Sequence, residues 1–317
     1  MRSARAVSVG EDARELLGSG GMVGEVHSVF DHTINVLSDG GDLVTVACRT
    51  VEDSTINLRV DSPRFDEQTR PQEGSPVVAR EGSVSLGGVL AVNGLGEAPI
   101  WRPDLSPPQD VDARGLLESL LTAVDAVKLH GRPEGFKPLV PHICGLMGVE
   151  PGASPMWGRN PYAEAALPRI EGLVGLLELG DAWGAAREAS GMVGLGPGLT
   201  PSGDDFLCGL LGALSIASPL LGDLGSDVEE MNRMVFSSVD GRTNPISRGI
   251  LKHYAGGRPS GSASVLIQGL LDGHDPCIEG SVRWVCRAGH SSGTDLAVGV
   301  LTAFAVLYRR IHGKEEG

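Results

Sequence analysis

The chain is short of basic charge, aromatic side chains and paired cysteines, and each shortage excludes a class of protein. Its 26 basic residues face 40 acidic ones, giving a formal net charge of −14. No basic field is therefore available to attract nucleic acid or an anionic membrane, and neither partner is expected. Aromatic residues make up 4% of the chain, too few for an aromatic cofactor box. The five cysteines are odd in number and form no CxxC pair, which argues against a disulfide framework or a zinc ribbon.

Long apolar segments are also missing. No stretch approaches the roughly 20 uninterrupted apolar residues of a membrane-spanning helix. The first residues, MRSARAVSVGEDARELL, contain no apolar core long enough for a secretory signal. With unpaired cysteines, these absences predict a cytoplasmic protein. The 317 residues, 41% of them hydrophobic, are enough for two domains of ordinary size.

The hydrophobic pattern changes its period along the chain. From Met22 to about Trp101 short apolar runs alternate with Gly and Pro signals, and the segment TINVLSDGGDLVTVAC is typical of a hairpin. Five to seven strands at this spacing indicate a small barrel or sandwich. After the segment RPDLSPPQD, apolar residues recur at helical spacing, as in VDARGLLESLLTAVDAVKLHG. The predicted fold is α+β, with a β domain at residues 1–101, a linker at 102–111 and an all-helical domain at 112–317.

A glycine-rich segment, GLGPGLTPSGDDFLCGLLGAL, begins at Gly194 and leads from a loop into an apolar helix. Its second part returns ninety residues later, because SGDDFLCGLLGAL aligns without gaps on SGTDLAVGVLTAF. Six positions are identical in the two copies: Ser202/Ser292, Gly203/Gly293, Asp205/Asp295, Gly209/Gly299, Leu211/Leu301 and Ala213/Ala303.

The repeated Ser-x-x-Asp pattern has a structural interpretation as a variant of the capping box. In such a box the serine hydroxyl accepts a backbone N–H at the helix start and the carboxylate reaches back. On this interpretation Asp205 and Asp295 each cap a helix, and each also meets the positive end of the helix dipole. Asp204 has no part in that pattern, since one cap needs one carboxylate. It is therefore the stronger candidate for chemistry.

The same segment also has a functional interpretation as a small-anion site. Glycines let backbone N–H groups face a ligand, and a helix start favours negative charge. Hydroxyl groups beside them would add donors. The candidate ligand groups of this segment are Gly196, Gly198, Thr200, Ser202 and Gly203. The sequence does not fix whether a metal is present; Mg²⁺ held by Asp204, Asp205 and Asp295 is the candidate.

Two further segments add polar residues at helix starts. GRTNPISRGILKHY places cationic and hydroxyl groups around a helix that begins at about Asn244 or Pro245, although a solvated helix face explains the charges equally well. AGHSSGTD places His290 before the second copy of the repeat, where an imidazole could polarise a carbonyl or move a proton. The candidate substrate-binding residues here are Arg242, Thr243, Ser247, Arg248, Ser291 and Ser292. The candidate catalytic residues are Asp204, Asp205, His290 and Asp295.

Three blocks, GLGPGLTPSGDDFLCG, TNPISRGIL and GHSSGTDLAVG, resemble in this order the signature blocks of one bacterial family. Its best-known member is a subunit of oxamate carbamoyltransferase from anaerobic allantoin breakdown, a branch of purine catabolism. GEVHSVFDHTINVLSDGGDLVTV resembles the start of that family, so the likeness covers nearly the whole chain. GLTPSGDD is its specific part.

The resemblance implies transfer of a carbamoyl group between phosphate and the nitrogen of oxamate, which in the reverse direction splits oxalurate to carbamoyl phosphate. It also implies a hetero-oligomer with other subunits, one of them like an acyl-CoA ligase. Under this hypothesis the loop at 194–202 cradles phosphate. Arg242 or Arg248 neutralises an anion, His290 polarises the carbamoyl oxygen, and Asp205 or Asp295 holds the attacking amide or a metal.

Two other functions fit the same residues. Acidic residues at the starts of glycine-containing helices resemble, loosely, those of the ADP-ribosylglycohydrolases, which hold two magnesium ions in an all-helical fold. That hydrolase would use Asp204, Asp205 and Asp295 as metal ligands. The third possibility is a scaffold or regulatory subunit whose glycine loops only pack helices.

Overall fold

The computed structural model describes residues 1–18, 21, 23–80, 82–150 and 159–315. They fall into two units, Met1–Pro103 and Asp104–Gly317. Each unit encloses its own cluster of buried apolar side chains. The division falls at the start of the proline-rich segment expected as a linker.

The first unit is a closed β-barrel, which confirms the barrel alternative of the sequence analysis. Eight strands follow the order β5-β4-β3-β2-β6-β7-β8-β1, and pairing between β1 and β5 closes the sheet. A two-residue strand, β9, pairs with the end of β1, and a short helix, α1, follows β1. The elements are β1 Arg2–Gly10, α1 Glu11–Gly18, β2 Val23–Val29, β3 Thr33–Ser38, β4 Leu43–Cys48, β5 Asn57–Val60, β6 Pro76–Arg80, β7 Ser83–Leu86, β8 Leu90–Asn93 and β9 Ile100–Trp101.

The predicted hairpin is present between β3 and β4, which pair antiparallel with Leu37 opposite Leu43. Gly41 in the connecting turn has a φ of +80°, a conformation that glycine adopts without strain. The local turn chemistry therefore fixes this register, as the sequence pattern indicated.

The strand count and the start of the β region were predicted wrongly. The described residues contain nine strands rather than five to seven, and the first begins at Arg2 rather than near Met22. Strand β1 carries two arginines, so its apolar pattern is weak. It is a strand because it pairs with β5 on one side and β8 on the other. Such long-range pairing leaves no local signal.

The second unit is helical, as predicted. Its helices are α2 Ala113–His130, α3 Val140–Leu146, α4 Pro161–Glu178, α5 Ala182–Ser190, α6 Ser202–Ala217, α7 Val228–Ser237, α8 Pro245–Ala255, α9 Gly261–Asp272, α10 Ile278–Val285 and α11 Ser292–Glu315. Among the described residues, short 3₁₀ segments accompany them at Lys137–Leu139, Ser218–Leu220 and Gly222–Asp227.

Helix limits follow the residues that cap them. The Asp112 side chain accepts the N–H of Gly115 and begins α2, which ends before Gly131 as the sequence predicted. Helices α3 and α10 were missed. They have seven and eight residues, too few for a helical period to show clearly in the sequence.

Helix α11 is the central helix of this unit. By length and composition Ser292–Gly313 could cross a membrane, with a mean hydropathy of 1.2, yet 67% of that window is buried inside the protein. Its contacts run along α6, α2, α3 and α4. A buried core helix has the same apolar composition as a spanning one, and here the apolar surface is covered by neighbouring helices.

The two copies of the internal repeat form the starts of α6 and α11, and these two helices pack against each other. A Cβ built on Gly209 would overlap the carbonyl oxygen of Leu296, and a Cβ on Gly299 would overlap that of Phe206. Because Leu296 occupies in the second copy the place of Phe206 in the first, the two helices cross with local two-fold symmetry. The glycines bring the backbones together, so the two helix starts lie side by side.

We expect Gly209→Ala to destabilise the protein by about 1–3 kcal/mol, the usual effect of overpacking a core. The matched control is Gly175→Ala within α4, where a new Cβ would meet no heavy atom within 4 Å. That variant should gain about 0.5–1 kcal/mol, since alanine is the better helix former. Urea unfolding of both variants measures the difference. Equal effects of the two substitutions would contradict the close helix contact.

Candidate functional site

Asp204 is fully buried and its side chain joins three segments of the chain. Its Oδ1 accepts the backbone N–H of Gly194 at 2.7 Å. Its Oδ2 accepts the hydroxyls of Ser247, at 2.6 Å, and Thr243. These contacts join the glycine loop, the start of α6 and the start of α8. Since both oxygens already bind protein donors, the structure gives Asp204 a structural role that the sequence analysis did not foresee.

Asp205 and Asp295 lie in the first turns of α6 and α11 and are 6% and 0% exposed. Asp295 Oδ1 accepts the N–H of Phe136 at 2.5 Å. Gly135 permits this approach, because a Cβ there would overlap the carboxyl group. The Oδ2 atoms of both aspartates have no hydrogen-bond partner among the described residues. Each carboxyl thus keeps one buried oxygen free for a ligand or a proton.

The serines of the repeat face the opposite helix. The Ser292 hydroxyl of α11 lies beside Asp205, and the Ser202 hydroxyl of α6 lies beside Asp295. The N-cap of α6 is Pro201, with no side-chain capping bond. The capping-box prediction was therefore wrong for α6. Ser202 is already inside the helix, and tertiary contact directs its hydroxyl across the helix pair.

Burial raises the pKa of both carboxyl groups, and the charge of Asp295 raises that of Asp205 further. Burial, followed by the charge of Asp295, raises the pKa of Asp205 well above its ordinary value, against the lowering effect of the Ser292 and Thr200 hydroxyls. Burial also raises the pKa of Asp295 to about 6, although the Phe136 N–H and the nearby serine hydroxyls lower it. With a pKa of about 6 Asp295 is mostly ionised near neutral pH, whereas Asp205 beside it favours its protonated form. Such a pair can both accept and donate a proton.

The glycine loop closes over the start of the helix pair. Gly194, Gly196 and Gly198 have φ angles of +76°, +121° and +95°. The hydroxyls of Thr200 and Ser292 lie 2.7 Å apart and join the loop to α11. From α8, the Asn244 side chain donates to the carbonyl of Leu199 at 2.8 Å. The loop, Thr200, Ser202 and Ser292 thus surround the Asp205–Asp295 pair.

Other predicted ligands lie elsewhere. Arg248 pairs with Asp240 at 2.8 Å and lies over the ring of Phe236, with 5.2 Å from the guanidinium carbon to the ring centroid. Arg242 and His290 are exposed. Thr243 and Ser247 are engaged by Asp204, with Gly203 packed on the carbonyl of Met192. Ser291 faces Asp295.

The three aspartates do not form a metal cluster. In the part of the chain that the structure describes, no group of three or more His, Cys, Asp or Glu side chains is arranged to hold a metal ion. Asp204 directs both oxygens to protein donors. The three-aspartate ligand set suggested by the sequence is therefore not assembled among the described residues.

Sequence reasoning missed two residues beside the pair. Lys137 is 4% exposed and donates through Nζ to the carbonyl of Gly131 at 3.0 Å, and burial lowers its pKa. Cys286 is 5% exposed, and burial raises the pKa of its thiol to about 11, with the Thr294 hydroxyl opposing the change. For Lys137 the sequence offered one signal, a single lysine inside the apolar segment GFKPLVPHIC, since lysine is seldom buried.

Fold and site together define a class: an N-terminal eight-stranded barrel and a helical unit whose two central helices begin at a buried pair of carboxyl groups. Family models give the class its name. The model described as oxamate carbamoyltransferase subunit AllH matches residues 192–304, and that of the AllH family N-terminal domain matches residues 5–98. The chain belongs to this family. No curated protein and no solved structure matches it.

We expect Asp295→Asn to change how stability depends on pH. With a pKa near 6 in the folded protein, Asp295 holds a proton that the unfolded chain releases at lower pH. Ionisation of Asp295 should therefore lower the free energy of unfolding as the pH rises from about 4 to about 7, by on the order of 3 kcal/mol, and Asp205 contributes in the same direction. Asparagine cannot ionise, so the variant should lose much of this decline while keeping an acceptor for Phe136.

Urea unfolding between pH of about 4 and about 8 measures this effect. Asp223→Asn is the control, because Asp223 is an exposed aspartate of the same unit. A wild-type stability that rises with pH over this interval, or a variant with an unchanged slope, would contradict the assignment.

Proposed function

We propose that this chain is the carbamoyltransferase subunit that carries the proton-transfer pair for reaction between oxamate and carbamoyl phosphate. The observation that carries the proposal is the Asp205–Asp295 pair, with one unpartnered buried oxygen on each carboxyl group. Family membership supplies the class of reaction, and membership as a subunit implies an assembly of several chains. The proposal adds the substrates and the residues.

The transfer needs a base. The amide nitrogen of oxamate attacks the carbamoyl carbon of carbamoyl phosphate, forming a C–N bond while the C–O bond to phosphate breaks. The nitrogen loses one proton and inorganic phosphate leaves, giving oxalurate. An ionised carboxylate of the pair accepts the proton, and in the reverse reaction the protonated pair returns it. A shared proton with a pKa near the working pH suits both directions.

The surrounding groups stabilise charge on the reacting carbonyl oxygen. The starts of α6 and α11 direct the positive ends of two helix dipoles toward the pair. The hydroxyls of Thr200, in the loop, and Ser292, at the start of α11, lie at the same place. Donors that are already fixed in position lower the activation free energy where negative charge develops on the oxygen. Gly196, Gly198 and Ser202 belong to the same anion-binding segment in this proposal.

The setting of the reaction follows from the same proposal. The chain works with other subunits, one of them resembling an acyl-CoA ligase, in allantoin breakdown in the cytoplasm.

We expect Asp205→Asn and Asp295→Asn each to lower kcat of the assembled enzyme by about 10²–10⁴-fold, the usual contribution of a general acid or base. Neither variant should be less stable than the wild type at neutral pH, because each replaces a carboxyl whose ionisation in the protein interior is unfavourable. The assay follows oxalurate formed from oxamate and carbamoyl phosphate.

Asp204→Asn tests whether Asp204 stabilises the fold rather than taking part in the reaction. Its amide would present N–H groups to the donors of Gly194, Thr243 and Ser247, and we expect a loss of about 1–3 kcal/mol of stability. Asp223→Asn is the exposed control.

Full turnover in both Asp205→Asn and Asp295→Asn would overturn the proposal and favour a scaffold subunit.

A further inference from the structure

A cationic cleft of about 280 Å³ lies beside the start of α11 in this acidic protein. Its lining residues come from the end of α2, from α10 and from the turn before α11: His130, Arg132, Arg283, Cys286, Arg287 and Gly289. Apart from Gly289, at the start of the GHSSGTDLAVG block, the lining residues lie outside the segments that the sequence analysis selected.

Three arginines give the cleft its charge. Arg132, Arg283 and Arg287 are exposed, and among the described residues none of their guanidinium groups is held in an ion pair. His130 contacts Glu279 at 3.3 Å, the one acidic partner at the rim within the described chain. Three guanidinium groups around one concave surface, in a chain of net charge −14, favour an anionic ligand.

The floor of the cleft connects it to the carboxyl pair. The charges of both Arg132 and Asp295 affect the Cys286 thiol, in opposite directions. The backbone N–H of Arg132 donates to Thr294 Oγ1 at 2.9 Å, and Thr294 precedes Asp295. On the other wall, a Cβ on Gly289 would lie 3.1 Å from Ser292 Oγ. The cleft therefore adjoins the residues at the start of α11 that flank the proposed reaction site.

We propose that this cleft binds the phosphate dianion, as inorganic phosphate or as the phosphoryl group of carbamoyl phosphate. The inference rests on the proposed function for the second of these ligands. A dianion matches three guanidinium groups better than the single carboxylate of oxamate does, and guanidinium groups bind phosphate oxygens in pairs. Arg242 and Arg248, the arginines suggested by the sequence, are not part of this cleft.

The first test is isothermal titration of the full chain with inorganic phosphate. Arg283→Gln and Arg287→Gln should each weaken phosphate binding about tenfold or more, because each removes a charge-assisted contact to a phosphate oxygen. Arg187→Gln is the matched control, since it removes one exposed arginine of the same unit outside the cleft. Its affinity for phosphate should equal that of the wild type. Carbamoyl phosphate in a parallel titration should show the same loss in the same variants.

Arg242→Gln tests the rival location at the glycine loop. Loss of phosphate binding in Arg242→Gln, with wild-type binding in Arg283→Gln and Arg287→Gln, would overturn the cleft. Failure of the wild-type chain to bind either inorganic phosphate or carbamoyl phosphate would also overturn it, since every lining residue belongs to this chain. Phosphate binding that depends on the cleft arginines, in a protein without carbamoyl transfer, would support the cleft and reject the proposed function. Binding of carbamoyl phosphate without binding of inorganic phosphate, lost in the cleft variants, would support the cleft with the phosphoryl group of carbamoyl phosphate as its ligand.

Discussion

The close crossing of α6 and α11 is the contact on which the rest of the site depends. Gly209 and Gly299 leave no Cβ between the backbones, and each glycine packs on a carbonyl of the other helix. Because the crossing lies one to two turns from both helix starts, it fixes their separation. Two aspartates in equivalent first-turn positions are then placed together inside the protein. A larger residue at either glycine would move the helix starts apart and separate the carboxyl groups.

The two adjacent aspartates of the GDD segment have opposite roles because they face different neighbours. Asp204 faces Gly194, Thr243 and Ser247, three donors that satisfy its charge. Asp205 faces Asp295, another acid, and keeps an oxygen without a partner. Buried carboxyls with full sets of donors stabilise a fold, whereas those that lack donors bind protons or ligands. Consecutive residues of a helix point about 100° apart around its axis, so the two side chains reach different neighbours.

Several features of the helical unit place charge around the pair without neutralising it. Lys137 is buried next to Phe136, whose N–H binds Asp295. Cys286 and Thr294 lie between the pair and the cationic cleft. The buried carboxyl pair lies on one side of these residues and the cationic cleft on the other. The proposed reaction, in which a neutral carbamoyl group leaves a dianion, would use this separation of acidic and basic groups.

The sequence by itself determined the two-domain α+β organisation, the hairpin of β3 and β4, the limits of α2 and α8, and the repeat at the starts of α6 and α11. These depend on local periods, turns and caps, which neighbouring residues set. Tertiary structure alone decided that β1 closes the barrel and that Asp204 joins the glycine loop to the starts of α6 and α8. It also decided that Ser202 and Ser292 each face the aspartate of the opposite helix. It also brought Lys137, Cys286 and the cleft arginines to the start of α11. Residues far apart in the chain meet only through packing, and no local pattern encodes which side chain each will face.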